Sequence, residues 1–244
     1  MPIPDPAPSP TQCSSCQQRH VCLPSGMGVS DTLPLDKLGL KRRRVQTGQT
    51  LYRAGDEFHF MYAVRSGTFK SDLQLADGRT QVSGFHMSGE LMGLDGIADG
   101  RHASSSSALE DAEVCAIPYA SLLELAGGSC GNSGLRHAIN RLLSREIVRE
   151  HSLMVMLGSM NAEERLASFL LNLSQRLVAR GYSASEFHLR MSRAEIGSYL
   201  GLKLETVSRT FSAFQQQRLL EVDKRHIRIT DISGLQRAFE LQVH

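Results

Sequence analysis

The hydrophobic rhythm of this 244-residue chain changes once, and that change decides what it can fold into. From about Val45 to Pro118, short β-type segments are punctuated by Gly and Asp: Thr50-Leu51-Tyr52, Phe60 to Val64, Gly67 to Leu75, Thr80 to Phe85 and Glu113 to Ile117. Asp77-Gly78 between two alternating runs reads as a hairpin, because both residues tolerate the positive φ of a tight turn. Many short strands with frequent turn signals predict a sandwich or jelly roll. Beyond them, Leu135, Ile139, Leu142, Leu143, Ile147, Met154 and Val155 recur at spacings of three and four, with arginines and Glu150 between. That pattern predicts one long amphipathic helix, roughly over 134–158. Its narrow seam, with Ile139, Leu143, Ile147, Glu150 and Met154 along it, suits pairing with a second copy. A helix lying on its own barrel would show a similar stripe.

Three more helices are expected. Asn161-Ala162-Glu163-Glu164 is a capping box, since an N-cap side chain and a Glu three positions on satisfy each other's backbone N–H groups; it opens a helix to about Ala179. Ser192-Arg193-Ala194-Glu195 repeats the device and opens a short helix to Leu200, which Gly201 ends. A further helix runs from about Leu204 to Gln217. Short helix, glycine turn and second helix form a helix-turn-helix. After it, Leu220 to Val222 and His226 to Thr230 flank Asp223-Lys224-Arg225 and read as a β-hairpin wing.

Along the second helix of that motif, Glu205, Ser208 and Arg209 lie at i, i+3 and i+4 and share one face, while Val207, Phe211 and Phe214 occupy the opposite, core-facing side. Such a helix can enter a major groove. There Arg can bond guanine twice, Glu can accept from a cytosine amine and Ser can bond either way. Arg193, Lys203 and Thr206 are placed to bond flanking phosphates, which sets register without reading sequence. Charge agrees weakly. Residues 151–244 carry 12 Lys/Arg against 9 Asp/Glu, whereas residues 1–150 carry 15 against 16. The basic run Lys41-Arg42-Arg43-Arg44 reads as a solvated edge before a strand.

The five cysteines need a different explanation. Met1 to Pro10 holds five prolines and no basic residue, which argues against a signal peptide, and residues 1–12 read as a disordered leader. No apolar run is long enough to span a bilayer. A cytoplasmic protein with an odd cysteine count is no disulfide scaffold. Cys13, Cys16 and Cys22 make a C-x2-C-x5-C cluster, and three thiols in a row ask for a fourth ligand. Zinc would accept His20 or a cysteine, whereas an iron–sulfur cube would take a fourth cysteine, Cys115 or Cys130. Spacing alone leaves both metals open. No Gly-rich phosphate loop, metallohydrolase His pair, nucleophile elbow or C-x3-C-x2-C signature is present, so an enzyme is not expected.

These parts together resemble the fumarate-and-nitrate-reduction regulator branch of the cyclic-AMP receptor protein superfamily, over essentially the whole chain. The matching stretches are Gly48-Gln49-Thr50-Leu51, Ala63-Val64-Arg65-Ser66-Gly67-Thr68, Gly84-Phe85-His86, Asn161-Ala162-Glu163-Glu164-Arg165-Leu166 and Gly197-Ser198-Tyr199-Leu200-Gly201-Leu202. Glu205-Thr206-Val207-Ser208-Arg209 matches the family's base-reading E-x-x-S-R motif, and the cysteine pattern with a later Cys before Ile-Pro matches its oxygen-sensing members. The resemblance implies an α+β fold: an N-terminal β jelly roll of cyclic-nucleotide-binding type, a long dimerisation helix and a C-terminal winged helix-turn-helix. It divides the chain into a flexible cysteine-rich segment 1–30, a sensor domain 31–132, a dimerisation helix 133–160 and a DNA-binding domain 161–244.

The resemblance further implies that Cys13, Cys16, Cys22 and Cys115 hold a [4Fe–4S] cluster. A homodimer would bind a TTGAT-N4-ATCAA-like palindrome with Arg209 on the guanine of each half, and RNA polymerase would be a partner. Oxygen would convert the cube to a [2Fe–2S] form, loosen the dimer and release DNA. Glu150 falls where the family often has an acid whose repulsion across the dimer opposes pairing. Cys130, in Gly127-Gly128-Ser129-Cys130-Gly131, reads as a spare thiol. The Asp77-Gly78-Arg79-Thr80 hairpin carries Arg and Thr where the family commonly has acids that meet polymerase. Gly89-Glu90 of the cyclic-nucleotide cassette survives, but His102-Ala103 stands where Arg-Ser is expected and Arg101 is one residue out of register, which argues against a cyclic nucleotide. His86 reads as a buried, hydrogen-bonded side chain rather than a haem ligand.

Overall fold

A computed structural model describes residues 12–127 and 131–240. Apart from Gln12, the expected leader lies outside these residues, as does Cys130. The order of elements is α1 (Val29–Asp36), β1 (Lys41–Val45), β2 (Thr50–Tyr52), β3 (Phe60–Ser66), β4 (Thr68–Gln74), β5 (Thr80–Met87), β6 (Leu91–Met92), β7 (Ser105–Ala108), β8 (Ala112–Pro118), α2 (Tyr119–Gly127), α3 (Ser133–Ser159), α4 (Ala162–Val178), β9 (Glu186–His188), α5 (Arg193–Leu200), α6 (Leu204–Gln216), β10 (Leu220–Asp223), β11 (His226–Ile229) and α7 (Ile232–Glu240). Two compact units part within α3, after Arg145, with Gln81–Ser83 belonging to the second.

The first unit is built on two four-stranded sheets, ordered β1-β8-β3-β6 and β2-β7-β4-β5. Side chains alternate across a strand, so each strand feeds two environments. Tyr62, Val64 and Val114 join Leu51, Tyr52, Phe69 and Ala108 in one core. Met61, Ala63, Cys115 and Ile117, on the other face of β3 and β8, join Leu23, Met27, Leu35, Leu122, Leu135 and Ala138. The sheet holding β3 and β8 is therefore buried on both faces, the second by α1, α2, the cysteine segment and the start of α3. Double burial explains why Met61 to Val64 is continuously apolar.

The basic run departs in part from expectation. Lys41 to Arg44 stays largely solvated ahead of β2 but is itself a strand, β1, paired antiparallel with β8 so that Arg42 stands opposite Cys115. As the edge strand of its sheet, β1 takes cations without burying them, and such charges discourage pairing with another sheet. The Asp77-Gly78 turn is as expected, with Gly78 at φ +84° and the N–H of Leu75 donating to the carbonyl of Arg79 at 2.8 Å.

The second unit packs α4, α5, α6 and α7 with a three-stranded sheet ordered β10-β11-β9. Leu166, Leu170, Ile196, Val207, Phe211, Phe214 and Leu235 are among its fully buried apolar residues. Both predicted capping boxes are present. Asn161 accepts from the N–H groups of Glu163 and Glu164 while Glu164 accepts from that of Asn161, and Ser192 and Glu195 exchange bonds in the same way. Gly201 ends α5 in the left-handed conformation, at φ +64°. Within the described residues, no helix is long and apolar enough to cross a membrane.

Candidate thiol centre and nucleic-acid interface

Residues 13–26 carry three of the cysteines through a succession of turns rather than in a helix or strand. The N–H of Cys16 donates to the carbonyl of Cys13, that of Cys22 to Gln18, and that of Ser25 to Cys22 at 2.8 Å. Asp36, the last residue of α1, anchors the first turn, because its carboxylate accepts from the N–H groups of Cys13 and Ser14 and from the Ser14 hydroxyl. Cys13 and Cys22 pack, partly buried, against the apolar cluster that contains the buried Cys115 of β8.

Burial pushes the thiols of Cys13 and Cys22 up to about 12. The neighbouring sulfurs of Cys115 and Cys16 contribute to that rise at both, and at Cys13 so do Cys22 and Asp36. The four sulfurs thus lie within electrostatic reach of one another, and none is in a disulfide. Cys13 and Cys22 are neutral thiols at neutral pH, so a metal centre held by them as thiolates would form with release of protons. Among the described residues, no three His, Cys, Asp or Glu side chains already stand in metal-holding geometry.

The chemistry of the donor set nevertheless fits an all-thiolate centre: Cys13 and Cys22 pack on the apolar cluster that contains Cys115, Cys16 is within electrostatic reach of Cys13 and Cys22, and the three N-terminal cysteines sit on turns free of a ladder. His20, the nitrogen ligand zinc would have taken, is exposed, with Nδ1 3.0 Å from the carbonyl of Gln17. Sequence reasoning passed over Asp36 and Arg65. Arg65 on β3 places Nη1 4.0 Å from the Cys16 sulfur while its Nε pairs with Glu113 at 2.9 Å. Arg65 sits inside a motif stretch, but Asp36 lies 22 residues from Ser14 with nothing local to announce it.

The second site is on α6. Its buried stripe is Val207, Phe211 and Phe214, which turns Glu205 and Arg209 to solvent with Ser208 half-buried beside them. Arg209 and Ser208 line an open hollow of about 370 Å³ with Arg193, Ser212, Ala213 and Gln216. Ser212 and Gln216 are additions to the expected face; they fall one and two turns beyond Ser208 on the same side. Arg193, expected at the phosphates, lies over the Phe211 ring with its guanidinium carbon 5.2 Å from the centroid. Lys203 is the exposed N-cap of α6, and Thr206 is half-buried, its carbonyl accepting from the Thr210 hydroxyl.

The turn before α6 is tight. A Cβ on Gly197 would lie 2.6 Å from the carbonyl oxygen of Leu202, whose N–H donates back to Gly197 at 2.8 Å. Arg165 of α4 holds the surrounding helix ends, donating to the carbonyls of Leu157, Met160 and Leu200 at 2.8, 2.8 and 3.0 Å.

On α3, Leu135 and Ala138 are buried in the first unit, and Ile139 and Leu142 pack against the same cluster. Leu143 is half-buried. Farther along, Ile147, Val148, Met154 and Val155 are each more than half exposed. They form two pairs seven residues apart, the spacing of a coiled-coil seam, and Glu150 lies between Ile147 and Met154. Arg149 pairs with Glu146 and reaches Glu150 at 4.0 Å.

In the jelly roll, His102 is buried and stacked on Tyr52 with ring centroids 3.9 Å apart, where the cyclic-nucleotide cassette would need an arginine. Arg101 points away to the carbonyl of Gly55. His86 is buried, with Nε2 2.9 Å from the Ser71 hydroxyl. At the β4–β5 hairpin, Asp77 is engaged by Arg79 through both backbone and side chain.

Residues 42–128 match the cyclic nucleotide-binding domain and residues 164–238 the Crp-like helix-turn-helix domain. With the exposed α6 face, that pairing defines a DNA-binding transcription regulator of the cyclic-AMP receptor protein superfamily, not an enzyme. The transcriptional regulatory protein btr of Bordetella pertussis is 48% identical over 229 residues, 94% of this chain and 93% of that protein. The fumarate and nitrate reduction regulatory protein of Escherichia coli K12 is 41% identical, covering 91% of this chain and 88% of its own. FixK2 of Bradyrhizobium japonicum superposes with a TM-score of 0.74 at 30% identity, over 82% of this chain and 96% of that one. The chain belongs to the family of fumarate and nitrate reduction regulators.

Proposed function

We propose that this protein is an oxygen-responsive transcription regulator of the cytoplasm. In this reading Cys13, Cys16, Cys22 and Cys115 hold a [4Fe–4S] cluster, which supplies sensitivity to oxygen when bound. The observation that carries the reading is that Cys13 and Cys22, on turns, pack against the apolar cluster that contains Cys115 of β8, with Cys16 within electrostatic reach of Cys13 and Cys22. Asp36 orients the Cys13–Cys16 turn, Arg65 faces Cys16, and the apolar wall of Leu23, Met27 and Ile117 limits water.

The exposed stripe of α3 pairs with that of a second copy, placing two α6 helices on the halves of a palindrome like TTGAT-N4-ATCAA. Glu205, Ser208 and Arg209 read base edges in each half, while Lys203 and Thr206 meet phosphates. Arg193 supports this face through Phe211 as well as by charge. RNA polymerase is a partner, although the Asp77-Arg79 pair leaves the hairpin without a free acid to offer it. A cyclic nucleotide is disfavoured by His102, which fills the position of the phosphate-binding arginine.

Binding of a fluorescent duplex bearing that palindrome tests the reading. Anaerobically purified protein binds it tightly and loses about tenfold or more in affinity after air. Equal affinity before and after air contradicts oxygen control.

A further inference from the structure

The turn that carries Cys22 is tied to α3. The N–H of Ser25 donates to the carbonyl of Cys22 at 2.8 Å, and the carbonyl of Ser25 accepts from Nη2 of Arg141 at 2.6 Å. Gly26 adopts φ +74°, and a Cβ there would lie 2.6 Å from Nη1 of Arg141. The guanidinium therefore rests against backbone that only glycine leaves open. Two further ties fix the same segment. Met27 is buried with Leu135 and Ala138, and Asn132, at the start of α3, donates to the carbonyl of Asp31 at 2.7 Å.

Arg141 occupies a telling position on its helix. It stands seven residues before Val148, which stands seven before Val155, so all three share one stripe. Two members of that stripe are the exposed valines. A change in the ligand state of Cys22 that shifts its turn is felt at Ser25, whose N–H is bonded to the Cys22 carbonyl. Ser25 and Gly26 move with that turn, and Arg141 of α3 is hydrogen-bonded to the carbonyl of Ser25.

We propose that Arg141 is the positioning residue that couples the Cys22 turn to the pairing stripe of α3. The inference rests on the iron–sulfur reading above and adds a specific route through the chain. A ligand state at the thiols biases the helix through one charge-assisted hydrogen bond and one close backbone contact, so the pairing surface responds without itself touching the centre.

The test compares the full-length protein with Arg141→Gln and, separately, Gly26→Ala, each purified without oxygen. Iron, acid-labile sulfide and visible absorption report loading, and analytical ultracentrifugation gives the dimer dissociation constant before and after air. Wild type shows a constant that rises about tenfold or more in air. Both variants retain iron and sulfide, but the ratio between the two states collapses toward one. Gly26→Ala reaches this result with Arg141 still present, by displacing the guanidinium. Equal weakening of both states, with the ratio preserved, makes Arg141 a plain structural contact and overturns the proposal. Loss of iron from the variants alone also overturns it, because Arg141 would then serve retention. Absence of iron and sulfide from wild type overturns the underlying reading, and the coupling with it.

Discussion

The carboxylate of Asp36 holds both the backbone N–H and the hydroxyl of Ser14, at 3.2 and 2.5 Å. One helix end thereby fixes the turn between two candidate ligands. Asp36→Ala leaves the N–H groups of Cys13 and Ser14 without their acceptor. Hydrogen bonds to a charged group are worth about 1.5–3 kcal/mol, and partial exposure puts this one at the lower end. The expected outcome is faster bleaching of the visible absorption in air, by several-fold, with far-UV circular dichroism unchanged. An unaltered bleaching rate would show that the anchor has no role at the thiols.

Cys115 is buried in the cluster against which Cys13 and Cys22 pack. Cys115→Ser should abolish retention of iron and sulfide, whereas Cys130→Ser should leave both at the wild-type level. Elemental analysis of the two variants decides, and the reverse result would move the fourth ligand to Cys130.

Gly197 has no room for a side chain, because the carbonyl oxygen of Leu202 lies 2.6 Å from the Cβ position. Gly197→Ala must open the turn between α5 and α6. Forcing atoms into a packed site costs about 1–3 kcal/mol. Thermal unfolding should show the second unit destabilised by that amount, with DNA affinity reduced as α6 loses its angle. Unchanged stability and affinity would mean that the turn relaxes freely.

Arg209 is exposed on α6. Arg209→Ala should remove about 1–3 kcal/mol of discrimination per half-site at the guanine. Competition between the palindrome and its guanine-substituted form measures this. Uniform weakening on every sequence would make Arg209 a phosphate contact.

Much of this organisation was legible because it is local. The change of period marks α3 apart from the strands of the first unit, and each capping box is complete within four residues. Glu205, Ser208 and Arg209 share a face by helix geometry alone. What escaped depends on residues distant in sequence. The serine run of β7 has little strand propensity, yet β2 and β4 flank it and supply pairing on both sides. Lys41 to Arg44 looked like a charged approach to a strand, and only its place at a sheet edge lets it be one. Asp36 with Ser14 and Arg141 with Ser25 are separated by 22 and 116 residues, so neither leaves a spacing signature.

Elemental and spectroscopic analysis of protein purified without oxygen tests the central claim most directly. The four-thiol centre predicts brown protein carrying about four iron and four sulfide per chain, with an absorption that changes on exposure to air. Colourless protein containing one zinc per chain and no sulfide would contradict it.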